Sequence, residues 1–347
     1  MRFRPVIIAL FLMSASSLTA VAVDLLYVSM SDASIVTYDV SNGISSDIVS
    51  SKSVYVTGVS ASFGMTFDSS GNLYANNRLE NSIVKVSNDL SLSIFVSTGL
   101  NFPWGLANDS SGNLYVGNNI GHNISKITSD GSISLYASTP DMVYGVALDS
   151  SKNLYFSAPG GISKVLSDGT VTALNYPNMV KPWSLVFDSS DNLFIADAQG
   201  YYPENNGTGI IRKITPDGVS SLFVVSGLDF PFGMSFDSLG YLYVSNWNNN
   251  TISRVNPTGG VDFSWSNGSL TPNALAFRPI AVPESSTCAL SAIAIGVLTY
   301  LATRQKKRPS KIQSNSIRSF TQKITPHSNC NSGGPSVKFH SILLPNP

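Results

Sequence analysis

One phrase recurs along this chain, and its last copy is divided between the two ends. Complete copies start at Phe63 (FGMTFDSSGNLYANN), Trp104 (WGLANDSSGNLYVGNN), Tyr144, Trp183 and Phe232. The aspartates that close the first element of each, Asp68, Asp109, Asp149, Asp188 and Asp237, are 41, 40, 39 and 49 residues apart. The segment from Asp24 (DLLYVSM) begins in mid-phrase at the Leu-Tyr pair, and the segment from Asn273 (NALAFRP) stops just before that pair. Together they complete a sixth unit. A period near forty residues denotes repeated supersecondary units that bury their apolar faces against one another.

Within a copy the first element alternates apolar with small residues, so that Met65 and Phe67, Val146 and Leu148, or Met234 and Phe236 share one face. Period two is the strand signal. The Asp-Ser-Ser-Gly-Asn turn then reverses the chain into the Leu-Tyr strand, because Asp and Asn bond their own backbone and Gly accepts positive φ. A third strand carries Ile-x-Lys/Arg-Val/Ile, as in Ile83 to Val86 and Ile252 to Val255, and a fourth carries short apolar runs such as Ser93 to Val96. Four strands in about forty residues match one propeller blade. The expected fold is all-β: a six-bladed propeller of four-stranded blades, spanning 23–279 and closed by pairing Ala274 to Phe277 with Leu25 to Ser29 in one blade. Closure removes the unpaired sheet edges that an open row would expose. The chain is 43% hydrophobic and only 12% charged, and no helical pattern occurs between Val23 and Pro279.

The two ends give an expected address. Residues 1–22 have Arg2 and Arg4, an apolar run from Val6 to Met13 and Ala20-Val21-Ala22. That is the layout of a secretory signal peptide. At the other end Val282, Pro283 and Glu284 precede an apolar run over 288–303 and a basic cluster from Arg304 to Arg308. Sixteen residues at a helical rise reach about 24 Å, a marginal span, and the basic cluster would stay cytoplasmic with the propeller outside. The segment 280–308 resembles the PEP-CTERM sorting signal, although Ser285 stands where that motif has Pro. The resemblance implies transient membrane anchoring through 288–303, processing by an exosortase-like enzyme and delivery to the cell surface or matrix. The polar tail 309–347 has no apolar period and reads as disordered.

Charge and cysteines restrict the function classes. Between Val23 and Pro279 there are 11 Lys plus Arg and 20 Asp plus Glu. So acidic a body is a poor nucleic-acid binder. Cys288 and Cys330 lie outside it, so no disulfide staples the propeller. His122 is its one histidine, which excludes a three-His zinc site. Serines occur without a neighbouring base to activate them. The repeated turn aspartates read as turn formers in preference to calcium ligands.

The Asn/Asp-x-x-x-Asn-x-Ile-x-Lys/Arg pattern, clearest in Asn76 to Val86 and Asn246 to Val255, resembles the NHL repeat. NHL propellers belong with the six-bladed TolB-like and gluconolactonase-like proteins, and the resemblance implies that superfamily. Gluconolactonase-like members hold a divalent metal at the channel mouth, partly through the residue before the first strand's Gly. Here those positions are Phe63, Trp104, Tyr144, Trp183, Phe232 and Asn273. One amide cannot supply the six or so oxygens a hard cation takes. No metal, cofactor or catalytic residue is therefore assigned. The five rings could stack on sugars or grip an apolar peptide side chain, or simply plug the channel and pack blade on blade. Roughly ten extra residues in the fifth blade, mostly 199–209, carry Tyr201, Tyr202 and Glu204, which would overhang the same mouth. The reading is a non-catalytic binding module for a glycan or protein of the envelope or matrix. A metal-dependent hydrolase or lyase of the gluconolactonase-like type, and a purely structural matrix protein, are the alternatives.

One position stands out. Asn108 occupies a place where every other copy has Phe or Leu, on the face expected between sheets, and should need hydrogen-bond partners there.

Overall fold

Each Leu-Tyr strand is buried on both faces, because a blade is covered by a neighbour on either side. Leu73–Asn77, Leu114–Asn118 and Leu242–Asn246 are buried at every position, whereas the outermost strands, such as Leu92–Val96, are exposed along most of their length. The structure is a computed structural model that describes residues 24–41, 48–60, 62–198 and 209–278. Twenty-four strands, β1–β24 in chain order, form six sheets of four among these residues.

The first blade combines β24 (Pro272–Phe277) with β1 (Leu25–Met30), β2 (Ser34–Asp39) and β3 (Ser53–Thr57). The others are consecutive meanders: β4–β7 within 65–96, β8–β11 within 103–138, β12–β15 within 146–174, β16–β19 within 182–228 and β20–β23 within 231–266. β24 and β1 run antiparallel with Leu26 opposite Phe277, Tyr27 opposite Ala276 and Val28 opposite Leu275. That is the expected closure. The first strands of successive blades touch in the closed order β24, β4, β8, β12, β16, β20 and back to β24. Helical structure among the described residues is limited to a 3₁₀ turn such as Arg78–Glu80.

The core is a series of wedges between blades. One packs Tyr27, Ile35 and Ala276 of the first blade against Met65, Phe67 and Leu73 of the second. A later one packs Phe194 and Ile211 of the fifth against Met234 and Val244 of the sixth. Near the axis the strands come too close for a side chain: a Cβ on Gly105 would lie 2.7 Å from the Tyr144 carbonyl and 2.7 Å from the Val146 nitrogen.

Turn aspartates hold the inner hairpins. The Asp68 carboxylate accepts from the Ser70 and Asn72 amides, each at 2.9 Å, and from Asn72 Nδ2 at 2.7 Å. Asp109 and Asp188 repeat all three contacts. Asn108 proves half-buried, less enclosed than the pattern suggested, since it lies where two blades meet the channel. Its Oδ1 accepts from Thr66 Oγ1 at 2.5 Å and its Nδ2 donates to the Phe67 carbonyl at 2.9 Å, so the amide bridges two blades.

Candidate functional site: an aromatic platform over the channel

The free edges of the six first strands enclose an axial cavity of about 370 Å³. At the end where these strands begin, the repeated aromatics meet. Phe63 lies 4.7 Å from Trp104 and 4.9 Å from Phe232, Tyr144 lies 4.5 Å from Trp183, and Trp183 lies 5.4 Å from Phe232 (ring centroids). Trp104 of the third blade reaches Phe232 of the sixth at 6.4 Å, across the axis. The rings thus pack on one another and cover the channel instead of lining an open funnel. Trp104 and Trp183 are nearly parallel, 14° apart at 5.6 Å. Phe63, Trp104 and Trp183 remain half-exposed, while Tyr144 and Phe232 are buried.

Asn273 occupies the sixth equivalent place on β24, buried, with its backbone carbonyl accepting a hydrogen bond from Ser245 Oγ at 2.7 Å. Tyr201, Tyr202 and Glu204 lie outside the described residues, as do Val282, Pro283, Glu284 and the segments 1–22 and 280–347. The 199–208 connection joins β17 (Leu193–Ala198) to β18 (Gly209–Ile214), the second and third strands of the fifth blade. Ala198, at its start, packs with Phe230 and Phe232.

Several members of the platform escaped the repeat reading. Phe102 is 6.1 Å from Trp104, Phe230 is 5.8 Å from Trp183, and Trp247 is 5.8 Å from Phe230. Phe102 and Phe230 precede Pro103 and Pro231 and have φ of 58° and 56°. Positive φ is strained for a bulky side chain and persists only where surroundings enforce it. Here the Phe102 amide donates to Asn81 Oδ1 at 2.6 Å, and its carbonyl accepts from the Asn119 amide at 3.1 Å. The Phe230 carbonyl accepts from the Trp247 amide at 3.0 Å.

The NHL-like asparagines position these loops. Asn118 Oδ1 accepts from the Asn101 amide at 3.0 Å while Nδ2 donates to Asn123 Oδ1 and Ser125 Oγ. Asn246 repeats this with Asp229, Thr251 and Ser253. In the fifth blade Asp197 takes the place, accepting from the Val180 and Lys181 amides and from Arg212 Nε at 3.1 Å. Each polar side chain fixes the loop that delivers Trp104, Phe232 or Trp183.

Two cations stand on the rings. The Arg78 guanidinium carbon is 4.1 Å from the Phe63 centroid, 4.6 Å from Phe102 and 5.1 Å from Trp104. Lys181 Nζ is 5.1 Å from the Trp183 centroid. A cation over a ring face is attracted by the ring's quadrupole. Burial lowers the pKa of both groups below their ordinary values. Arg78 Nε, the neighbouring Asn77 Oδ1 and Trp183 Nε1 are buried without hydrogen-bond partners. Among the described residues no three His, Cys, Asp or Glu side chains come together, and no helix is long and apolar enough to cross a membrane. His122 is exposed in a turn.

No family model and no curated protein matches the chain. Solved structures do match in fold. A chain of the nidogen–laminin complex superposes with a TM-score of 0.64 at 18% identity, over 74% of this chain and 98% of that one. A catalytically inactive virginiamycin B lyase from Staphylococcus aureus, solved with quinupristin, gives 0.51 at 17% identity over 77% and 87%. A gluconolactonase-like protein gives 0.52 at 15% over 65% and 87%. At such identities the likeness is one of fold, and it spans both binding and enzymatic propellers.

Proposed function

We propose that this protein is an exported, non-catalytic binding propeller whose aromatic platform recognises a glycan or protein of the envelope or extracellular matrix. The observation that carries the reading is the platform itself. The places from which gluconolactonase-like propellers offer metal ligands here carry five packed rings and one buried asparagine. Half-exposed indoles give a ligand broad contact area at small entropic cost, and strained backbone at Phe102 and Phe230 is typical of a site held in shape for recognition. The fifth blade's long connection starts beside Phe230 and Phe232, which supports a rim built by Tyr201, Tyr202 and Glu204.

Export, anchoring through 288–303 and cleavage near Pro283-Glu284 by an exosortase-like enzyme complete the reading. Mass spectrometry of the mature protein tests that part: a C-terminus near residue 283 supports it, and an intact chain to Pro347 at the cell surface overturns it. The platform is tested by probing glycan and peptide arrays with the purified chain. Any ligand found is then titrated against Trp104→Ala and Trp183→Ala. A hot-spot aromatic is worth about 2 kcal/mol or more, so each variant should bind some thirtyfold more weakly. Folded variants that bind as tightly as the parent would move recognition to the outer blade surfaces.

A further inference from the structure

We infer that the platform's ligand is an acidic glycan, a sugar chain bearing uronate-type carboxylates, with Arg78 as the anchor for the acid group. The inference deepens the binding reading above and rests on it.

The charge of Arg78 is uncompensated by any carboxylate among the described residues. The propeller body carries nine more acidic than basic side chains, yet the end of the channel is topped by cations. Only two ion pairs form among the described residues, Arg212 with Asp197 and Arg254 with Asp262. Arg78 has neither a carboxylate nor a side-chain hydrogen-bond partner there, although Glu80 sits two residues away in the same 3₁₀ turn. Three rings hold its guanidinium in place, so the fork is pre-organised before any ligand arrives. A planar guanidinium fixed in this way matches a carboxylate in two parallel hydrogen bonds.

The shape of the platform chooses between a sugar and a peptide. A peptide side chain is gripped by a slot, but the rings close the axis at 4.5 to 6.4 Å centroid separations. What remains outside is an apolar surface of the partly exposed Phe63, Trp104, Trp183 and Trp247, with the buried Phe230 packed between the last two. A pyranose ring can lie on such a surface with its C–H face down. Its C6 carboxylate then projects at the edge, where Arg78 stands, with Lys181 at the other end of the near-parallel indole pair. Asp229, which precedes Phe230 on the Trp183 side, accepts only from the neutral Asn248 Nδ2 at 3.0 Å and keeps its charge, so the acid group belongs at the Arg78 end of the platform.

The test uses the full-length chain and two matched probes, an oligogalacturonate and the same oligomer with its carboxylates reduced to alcohols, measured by titration calorimetry. The parent should bind the acid at least about tenfold more tightly, as one charge-assisted contact would give, and added salt should weaken only the acid. Arg78→Gln should remove most of the acid's preference over the neutral oligomer, leaving the part that Lys181 supplies. Arg78→Lys should keep more of the preference. Thermal melts control for folding, and the salt series on the parent needs no variant. Equal binding of the two probes, no binding of the acid, or full affinity in folded Arg78→Gln would each overturn the inference. If an array ligand nevertheless depends on Trp104 and Trp183, the platform reading survives that failure; if it does not, both fall.

Discussion

The hydroxyl of Ser245 in the sixth blade donates to the carbonyl of Asn273 in the first at 2.7 Å, and the same oxygen accepts from the Gly233 amide at 2.7 Å. One small side chain thereby holds its own first strand and clasps the next blade. Ser157 does the same between Gly145 and Trp183, and Asn76 between Gly64 and Trp104. Ser29 bonds Ala274 and the Ser62 carbonyl. Gly117 and Ala196 fill the equivalent places in the third and fifth blades without a polar group. Ser245→Ala leaves a buried amide and carbonyl unpaired, and should lower unfolding free energy by about 1–3 kcal/mol in denaturant titrations. Ala196→Ser, adding a latch where none exists, should cost far less.

Gly105→Ala tests the close approach of the blades. The added methyl would meet two backbone atoms of the fourth blade at 2.7 Å, and backbone cannot swing aside as a side chain can. Destabilisation of about 1–3 kcal/mol or more is expected by thermal and chemical denaturation. A neutral result would mean that the first strands can spread without loss.

Two turn aspartates should respond oppositely to neutralisation. Burial alone would raise the Asp109 carboxyl, but hydrogen bonds from Asn113 and from the Asn113 and Ser111 amides outweigh it and hold the pKa below the usual value. Its contribution to stability is present above the unfolded-state pKa and is lost as pH falls through the folded one. Asp237 is raised instead, by burial first and by the nearby Asp24 charge, against hydrogen bonds from Tyr241 and Leu239. Its ionised form is a cost to the fold at neutral pH that disappears in acid. Asp109→Asn should therefore destabilise at pH 7, and Asp237→Asn should be neutral or stabilising there, with both differences shrinking below about pH 4. Melting curves across pH 3–7 check both signs.

Asn108 offers a narrower test. Replacing it with Leu, as in the fourth blade, removes the partner of Thr66 Oγ1 and of the Phe67 carbonyl. About 0.5–1.5 kcal/mol should be lost, and a double-mutant cycle with Thr66→Val should show coupling.

The repeat made most of the fold legible. Complementary half-phrases at Asp24 and Asn273 foretold the pairing of Leu26 with Phe277, because a strand-closed ring is the arrangement that uses both. The convergence of Phe63, Trp104, Tyr144, Trp183 and Phe232 followed from their shared place in each copy. What the repeat hid was whatever differs between copies. Arg78, Asn119 and Trp247 occupy the same position, one residue after the buried Asn77, Asn118 or Asn246, and they share no chemistry. Asn119 pins the Val143 carbonyl at 3.1 Å, Trp247 extends the platform, and Arg78 caps it. A position that varies inside a strict repeat, at the end where aromatics gather, is the signal that would have found them. The positive φ of Phe102 and Phe230 had no such signal, since nothing in Phe-Pro specifies that backbone.

The four tryptophans allow the platform to be watched directly. Trp104, Trp183 and Trp247 belong to it, whereas Trp265 is buried in the outer strand of the sixth blade against Tyr38 and Tyr243. Emission is recorded while an array-selected ligand is titrated into the parent, into Trp265→Phe and into the double variant Trp104→Phe, Trp183→Phe. Recognition at the platform predicts a saturable spectral change that Trp265→Phe retains and the double variant loses, together with most of the affinity. A double variant that folds, binds as tightly as the parent and keeps the whole change would contradict it.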